Sequence, residues 1–348
     1  MFPLDFPLAR LARARAGEWV LDPFCGRGTT MFAARLKGLN SVGIDASPVA
    51  AAIASAKVAR ADPREVESLV CDILQQEKSP VDVPVGEFWD WAFHPETLNQ
   101  LCWLREQLAS LPTDHNAAAV LRAIVLGILH GPLLKGEPTY LSNQMPRTYA
   151  TKPDAAVRFW STRAMAPPRV SVLDTLTRRI RYTLAAVPIH HGGAVYCGDA
   201  AEVLKGVRQR FDWIVTSPPY YRMYTYVPDQ WLRSWFLGGP PHVDYSTDNQ
   251  LRHTNVDVFV DGLAAVWDRT ALRSNPGARL AVRFGALPSV DSGLSPEKLL
   301  RRSLDQSGRW KITRVHDSGR PGDQARQASQ MGRTGAYANE VDVLAVLR

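Results

Sequence analysis

The feature that most constrains this chain is a regular alternation of short apolar runs with helical segments. The run at 18–22 (EWVLD) predicts a buried strand, and a glycine-containing turn separates it from a helical stretch at 29–38. A second apolar run at 41–45 (SVGID) precedes a helical stretch with Ser47 as its N-cap and Pro48 at its first position. Because strands joined by crossover helices lie parallel, this order predicts a parallel sheet.

The same alternation resumes near residue 193. Predicted strands lie at 193–199, 211–216, 279–285, 310–316 and 341–347, and predicted helices lie at 200–207, 256–273 and 295–306. No helix is predicted between the last two strands, which favours an antiparallel pair at the edge of the sheet. The predicted fold class is therefore α/β, a doubly wound, mostly parallel sheet with an antiparallel C-terminal hairpin.

Residues 63–190 interrupt the alternation. They contain few strand-like runs and several helix-like segments, such as PETLNQLCWLREQLASL and VSVLDTLTRRIRYTLAAV. This composition predicts a largely helical insertion at 63–190, placed between the two parts of a sheet domain at 1–62 and 191–348.

The turn after the first strand, DPFCGRGTT (22–30), is rich in glycine and opens a helix. Such turns let a ligand approach the backbone closely at a helix N-terminus. A P-loop is excluded because it requires GxxxxGK[ST] and this turn contains no lysine. A dinucleotide site requires GxGxxG, and the third glycine is missing here. The turn therefore favours a nucleoside ligand without a pyrophosphate.

Aspartates end three of the predicted strands: Asp22 the first, Asp45 the second and Asp199 the third. Because the carboxyl ends of parallel strands meet at one edge, these side chains should line one crevice. Asp45 is suited to the two ribose hydroxyls, Asp199 to an adenine amino group, and Asp22 to a cationic amine. An aspartate at a strand end is also a common turn or cap residue. Three of them around one glycine turn favour a cationic adenosine, S-adenosyl-L-methionine.

The turn DPFCGRGTT and a later stretch, TSPPY (216–220), together resemble the motifs of DNA amino-methyltransferases, which methylate exocyclic nitrogens of cytosine or adenine. The similarity includes the acid after the second strand and the Gly-Asp pair after the third, but not clearly residues 63–190. It implies a Rossmann-like methyltransferase fold, with an S-adenosylmethionine-dependent catalytic domain at 1–62 and 191–348 and a possible DNA-recognition region at 63–190. The implied cofactor-binding residues are Asp22, Phe24, Gly26, Gly28, Thr29, Thr30, Asp45, Asp199 and Ala200.

The stretch TSPPY also has a chemical interpretation in such an enzyme. An exocyclic amine is conjugated with its ring and is a poor nucleophile, so two acceptors must draw it toward tetrahedral geometry. The Pro218 carbonyl, directed by the stiff Pro218-Pro219 pair, and the Ser217 hydroxyl are suited to that task. Tyr220 would stack on the base, which must be flipped out of the duplex. The predicted catalytic residues are Ser217, Pro218, Pro219 and Tyr220.

The first letter of this motif bears on the base that is methylated. In the family that the chain resembles, serine is typical of members acting on cytosine N4, whereas aspartate or asparagine is typical of members acting on adenine. Ser217 therefore favours cytosine N4, with adenine N6 as the alternative. Methylation of the cytosine ring carbon is excluded, because that chemistry needs a cysteine directly after a proline. None of the four cysteines follows a proline. An enzyme of the same fold acting on RNA or a protein amide, and a catalytically silent DNA-binding protein, remain open.

Basic and aromatic residues suggest where DNA could bind. Lysine and arginine outnumber acids 41 to 34, a net charge of +7 that fits a polyanionic partner. The predicted DNA-binding residues are Tyr221, Arg222, Tyr224, Arg320 and Arg326. Trp231 and Trp235 stand at helical spacing, for which a place in the core is the alternative, and the loop at 319–333 could also be an ordinary surface loop.

The remaining composition narrows the partners and the compartment. No run of about 18 apolar residues and no signal-like segment is present, which predicts no membrane partner. The resemblance implies a DNA-associated protein in the cytoplasm of a prokaryote. Four scattered cysteines without a CxxC pair, and eight histidines without HxH or HxxxH spacing, predict no metal. The expected partner is double-stranded DNA, with a cognate restriction endonuclease as a possible second.

Overall fold

The computed structural model describes residues 2–76, 78–131, 140–145, 153–185, 192–221, 228–244, 255–285, 295–319 and 340–348. The chain divides into two compact units. The sheet unit comprises Met1–Ala54, His190–Thr225 and Thr247–Arg348, and the helical unit comprises Ser55–Ile189 and Tyr226–Ser246. The helical unit is therefore built from two separate pieces of chain.

The sheet unit contains one seven-stranded sheet. Its strands are β1 Trp19–Asp22, β2 Asn40–Asp45, β3 Gly193–Cys197, β4 Phe211–Thr216, β5 Ser274–Gly285, β6 Trp310–Gly319 and β7 Glu340–Leu347. Their order across the sheet is β3-β2-β1-β4-β5-β7-β6, and every pair is parallel except β5 with β7 and β6 with β7. The predicted fold class is confirmed. The antiparallel pair β6 and β7 forms one end of the sheet, with β7 next to β5 and β6 at the edge.

Helices accompany the sheet and build the second unit. They are α1 Asp5–Arg10, α2 Thr29–Leu36, α3 Pro48–Val58, α4 Pro63–Leu74, α5 Glu87–Ala92, α6 Pro95–Ser110, α7 Asn116–Ile128, α8 Pro153–Ser161, α9 Val172–Leu184, α10 Ala200–Gly206, α11 Trp231–Phe236, α12 Val256–Leu272 and α13 Pro296–Ser307. Within the described ranges, none of these helices combines the length and apolar character that crossing a bilayer requires.

The central strands of the sheet are apolar on both faces because both faces are covered. Successive residues of a strand point to opposite sides. Accordingly, Val20 and Val215 join one core with Phe6 of α1, whereas Leu21 and Ile214 join a second core with residues of α12 and α13. Burial on both faces is typical of parallel, doubly wound sheets.

The helical unit has its own core of buried aliphatic residues, and a cluster of aromatic side chains forms part of it. The Trp89 ring lies 4.6 Å from that of Trp235 and 5.8 Å from that of Trp231, and its indole N–H donates to the Pro241 carbonyl. Both Trp231 and Trp235 are buried. Their predicted alternative place in a core is therefore confirmed, and the helix that contains them belongs to the helical unit.

Candidate active site

The turn between β1 and α2 is held in a shape that requires glycine. Gly26 and Gly28 have positive φ angles of 52° and 80°, a region that L side chains rarely adopt. The Cys25 N–H donates to the Ile44 carbonyl of β2 at 2.9 Å, and the Gly28 N–H donates to the Cys25 carbonyl at 2.8 Å. The turn is thus fastened to β2 and arrives at α2 in a left-handed conformation.

Asp45, at the end of β2, is the main acceptor for this turn. Its carboxylate accepts from the Gly26 N–H at 2.8 Å and from the Ser47 N–H at 2.9 Å. Burial raises the pKa of Asp45, and these two N–H groups oppose that rise. A carboxylate has about four acceptor positions, so two further donors can still bind to it.

Gly43 is a site residue that was not predicted from the sequence. A Cβ atom at this position of β2 would lie 3.0 Å from the Cys25 sulfur and 3.0 Å from the Met31 sulfur. The missing side chain therefore lets the turn and α2 approach the strand. The available signal was a glycine inside a predicted strand, which often marks close approach by another segment.

Asp22 links the two sequence motifs directly. It is 1% exposed, and its Oδ1 accepts from the Thr216 hydroxyl at 2.6 Å and from the Phe24 N–H at 3.1 Å. Strands β1 and β4 are paired in parallel, so the DPF turn and the SPPY stretch leave the sheet side by side. Burial raises the pKa of Asp22 to about 6, although hydrogen bonds from Thr216, Thr30 and Phe24 act in the opposite direction.

Other predicted cofactor residues lie around the same sheet edge in mixed roles. Thr30 is buried and donates to the Val215 carbonyl at 3.2 Å, which ties α2 to β4. Phe24 is half-buried with its ring edge-on to Trp267. Asp199 is exposed and caps α10 by accepting from the Glu202 N–H at 3.1 Å. Thr29 begins α2, and Ala200 begins α10 as a buried residue.

The SPPY stretch begins directly after β4 ends at Thr216. Pro218 is buried, whereas Ser217, Pro219 and Tyr220 are half-buried. The Tyr220 ring lies edge-on to Phe284 with 6.0 Å between centroids. None of the groups from β5 and β7 that surround this ring was predicted from the sequence.

Two residues of the neighbouring strands, Gly285 and Glu340, fix the surroundings of the Tyr220 side chain. A Cβ atom at Gly285 would lie 2.8 Å from the Tyr220 ring, so the ring occupies space that only glycine leaves open. The Tyr220 hydroxyl donates to the carboxylate of Glu340. Burial, followed by the charge of Glu340, raises the pKa of Tyr220 well above its ordinary value, which keeps the phenol protonated.

The predicted DNA-binding residues have different outcomes. Tyr221 is 3% exposed and packs against Phe259 with 5.3 Å between ring centroids, so the structure places it in the core and not at a DNA-facing surface. The physical reason is that Tyr221 belongs to the buried apolar cluster that also contains Phe259 and Phe284. Arg222, Tyr224, Arg320 and Arg326 lie outside the described residues.

Among the residues that the structure describes, no three histidine, cysteine, aspartate or glutamate side chains are grouped so that they could hold a metal ion.

Known proteins share the segment that forms this site. A family model described as DNA methylase (N6_N4_Mtase) matches residues 11–56, which contain β1, the glycine turn and β2. The type II methyltransferase M.MjaII of Methanocaldococcus jannaschii is 37% identical over 62 residues, which are 18% of this chain and 12% of that protein. M.BsoBI of Geobacillus stearothermophilus, also a type II methyltransferase, is 22% identical over 267 residues, 70% of this chain and 51% of that protein.

These matches confirm the resemblance to the DNA amino-methyltransferase family, and the chain spans about half or less of the length of these two relatives. Among solved structures, a magnesium protoporphyrin IX methyltransferase from Synechocystis matches with a TM-score of 0.36 and 11% identity, covering 99% of this chain and 77% of that one. A likeness at this level adds nothing to the fold described above.

Proposed function

We propose that this chain, whose N-terminal segment matches the N6/N4 DNA methylases, is an S-adenosylmethionine-dependent DNA methyltransferase that modifies the exocyclic amine of a flipped base. The observation that carries the proposal is the hydrogen bond between Asp22 and Thr216, which brings the cofactor motif and the SPPY motif to one sheet edge. A methyl group can pass only between ligands held at adjacent sites, so this adjacency is the minimum geometric requirement.

The residues at the glycine turn fit the proposed cofactor. Gly26 leaves open space where a side chain would stand, because a Cβ atom there would have no other atom within 4 Å. Asp45 retains acceptor capacity for ribose hydroxyls, and the exposed Asp199 could accept from an adenine amino group. When bound, S-adenosylmethionine supplies an electrophilic methyl group on a sulfonium. Asp22, at the end of β1, is our candidate for the carboxylate that would face the cationic amine of this cofactor.

The SPPY stretch would hold the target amine. The Pro218 carbonyl and the Ser217 hydroxyl each accept one N–H bond, which draws the nitrogen toward tetrahedral geometry and frees its lone pair. Tyr220 would stack on the base and offset part of the few kcal/mol that flipping costs. Methyl transfer would leave S-adenosylhomocysteine and a nitrogen with one proton too many, and that proton would pass to solvent water as the neutral product leaves.

We further propose cytosine N4 as the target, because serine stands at the first position of the SPPY stretch. Adenine N6 is the competing target. The direct experiment is to express the chain in a host without DNA methylation and to analyse its digested DNA by mass spectrometry. N4-methylcytosine is the expected product, N6-methyladenine would overturn the choice of base, and unmodified DNA would overturn the function. Methyl transfer to transfer RNA instead of duplex DNA would reassign the substrate.

Replacing Asp45 by alanine is expected to weaken S-adenosylmethionine binding at least tenfold, because hydrogen bonds to a charged acceptor contribute about 1.5–3 kcal/mol each. Titration calorimetry measures this change. Asp62 offers a matched control, since it is also an aspartate that accepts from two backbone N–H groups, those of Arg64 and Glu65 in the helical unit. If Asp62→Ala and Asp45→Ala weaken S-adenosylmethionine binding equally, the proposal that Asp45 binds the ribose is wrong.

Cys197 provides a chemical probe of the same site. It is exposed at the end of β3, paired in register with Asp45. S-adenosylhomocysteine is expected to slow its alkylation by iodoacetamide several-fold, measured by mass spectrometry near the ordinary thiol pKa of about 8.5. Burial raises the pKa of Cys197, so at a given pH its labelling is slower than that of a thiol with an ordinary pKa. Cys71 of the helical unit is the internal reference, and protection of both cysteines alike would argue against a cofactor site beside β3.

The biological setting follows from the proposed activity. We place the protein in the cytoplasm of a prokaryotic cell, with double-stranded DNA as its macromolecular partner. The two relatives are named as type II methyltransferases, which supports a modification role and makes a cognate restriction endonuclease a reasonable partner to seek. The insertion at 63–190 is our candidate for the DNA-recognition region.

A further inference from the structure

Tyr220 sits in a slot made by one cross-strand pair. Gly285 of β5 and Glu340 of β7 stand opposite each other in the antiparallel register. Gly285 provides the space, since a Cβ atom there would lie 2.8 Å from Cε2 and 2.9 Å from Cζ of the Tyr220 ring. Glu340 provides the acceptor for the hydroxyl at the far end of the ring.

The slot is anchored by a buried ion pair two residues further along both strands. Arg283 donates from Nε and Nη2 to the two carboxylate oxygens of Asp342 at 2.8 and 2.9 Å. Asp342 is 2% exposed, and Arg10 of α1 lies 3.5 Å from the same carboxylate. Because side chains two residues apart point to the same face of a strand, this pair and the slot share one face of the sheet.

We infer that Glu340 is a positioning residue, which acts through Tyr220 by fixing the ring in the orientation that stacks on the target base; the inference rests on the proposed function. A tyrosine side chain has two rotatable bonds, and contacts along the Cε2–Cζ edge of the ring and at its hydroxyl restrict both. Gly285 limits the position of the ring, and Glu340 limits its tilt. Restricting the ring before the base arrives lowers the entropy that binding and reaction must otherwise supply.

The experiment compares Glu340→Ala, Glu340→Gln and Tyr220→Phe under saturating DNA and S-adenosylmethionine. Glu340→Ala and Tyr220→Phe are each expected to lower kcat about tenfold without changing cofactor affinity, because each removes a charge-assisted hydrogen bond. Glu340→Gln retains an acceptor oxygen and should keep most of the wild-type kcat. The double variant should be no slower than Tyr220→Phe, since the contact that Glu340→Ala removes is already lost with the Tyr220 hydroxyl.

Gly285→Ala tests the other side of the slot, and Gly206→Ala, where a Cβ atom meets open space, is its control. The first should lower kcat and the second should not. Wild-type kcat in Glu340→Ala, or additive losses in the double variant, would overturn the inference while leaving the proposed function intact. An inactive wild-type chain would overturn the proposed function and the positioning role together.

Discussion

Replacing Tyr220 by alanine is expected to lower the rate of methyl transfer by about 100-fold at saturating substrates. Stacking of one base on an aromatic side chain contributes about 1–3 kcal/mol, and about 1.4 kcal/mol corresponds to a factor of ten. The larger value applies because the Tyr220 ring is already held in place, by Gly285 along its Cε2–Cζ edge and by Glu340 at its hydroxyl. Single-turnover kinetics with radiolabelled cofactor measure the loss.

Cofactor affinity gives the internal check for this variant. The described contacts of Tyr220 involve Ser217 and residues of β5 and β7. The glycine turn is not among them, so the dissociation constant for S-adenosylmethionine should stay near the wild-type value. Tyr182→Ala is the matched control, because Tyr182 is 78% exposed on α9 in the helical unit. A wild-type rate in Tyr220→Ala, or an equal loss in Tyr182→Ala, would contradict the stacking role.

Replacing Asp22 by asparagine is expected to stabilise the protein against unfolding at pH 8 by up to about 3 kcal/mol. Burial raises the pKa of Asp22 from 3.8 to about 6 in the folded protein. The folded state therefore binds more protons than the unfolded state between these two pH values, and the free energy of unfolding falls as pH rises through this window. Two pKa units correspond to about 3 kcal/mol. Asparagine carries no charge and avoids this cost.

The pH dependence separates this effect from a simple change in packing. The stability difference between Asp22→Asn and the wild type should be close to zero near pH 4, grow up to pH 6 and stay constant above it. Urea unfolding across this range measures it. Thr216→Val should lower the free energy of unfolding at the pH values where Asp22 is charged. The reason is that the Thr216 hydroxyl donates a hydrogen bond that stabilises the charged Asp22 carboxylate. A difference that is the same at every pH would mean that Asp22 is not the titrating group.

The sequence was sufficient for features that depend on local pattern. The strand at 211–216 was predicted with the bounds that the structure has, and β1, β2 and β7 begin and end within one residue of their predicted limits. The start of β5 was predicted five residues late, at 279 instead of Ser274. The cause is the segment Ser274–Gly277, where Gly277 has a φ of 78° and the register to β4 shifts, which an apolar-run criterion does not detect.

Features that depend on strand order were not accessible from the sequence. Glu340 stands opposite Gly285 only because β7 is inserted between β5 and β6, and no local signal in the chain states that order. The burial of Asp22 likewise depends on Thr216, a residue 194 positions away. Tyr221 was predicted to face DNA from its proximity to the SPPY stretch, but the packing of α12 against the sheet covers it with Phe259.

Because the helical unit is built from two separate pieces of chain, neither piece can be deleted or exchanged without affecting the packing of the other. A shortened version lacking 63–190 would remove the aromatic neighbours of Trp231 and Trp235 and expose their indole rings to water. Exchanging the helical unit with that of a related protein would accordingly require moving both pieces together, because the long piece packs against the short helix that contains these two residues.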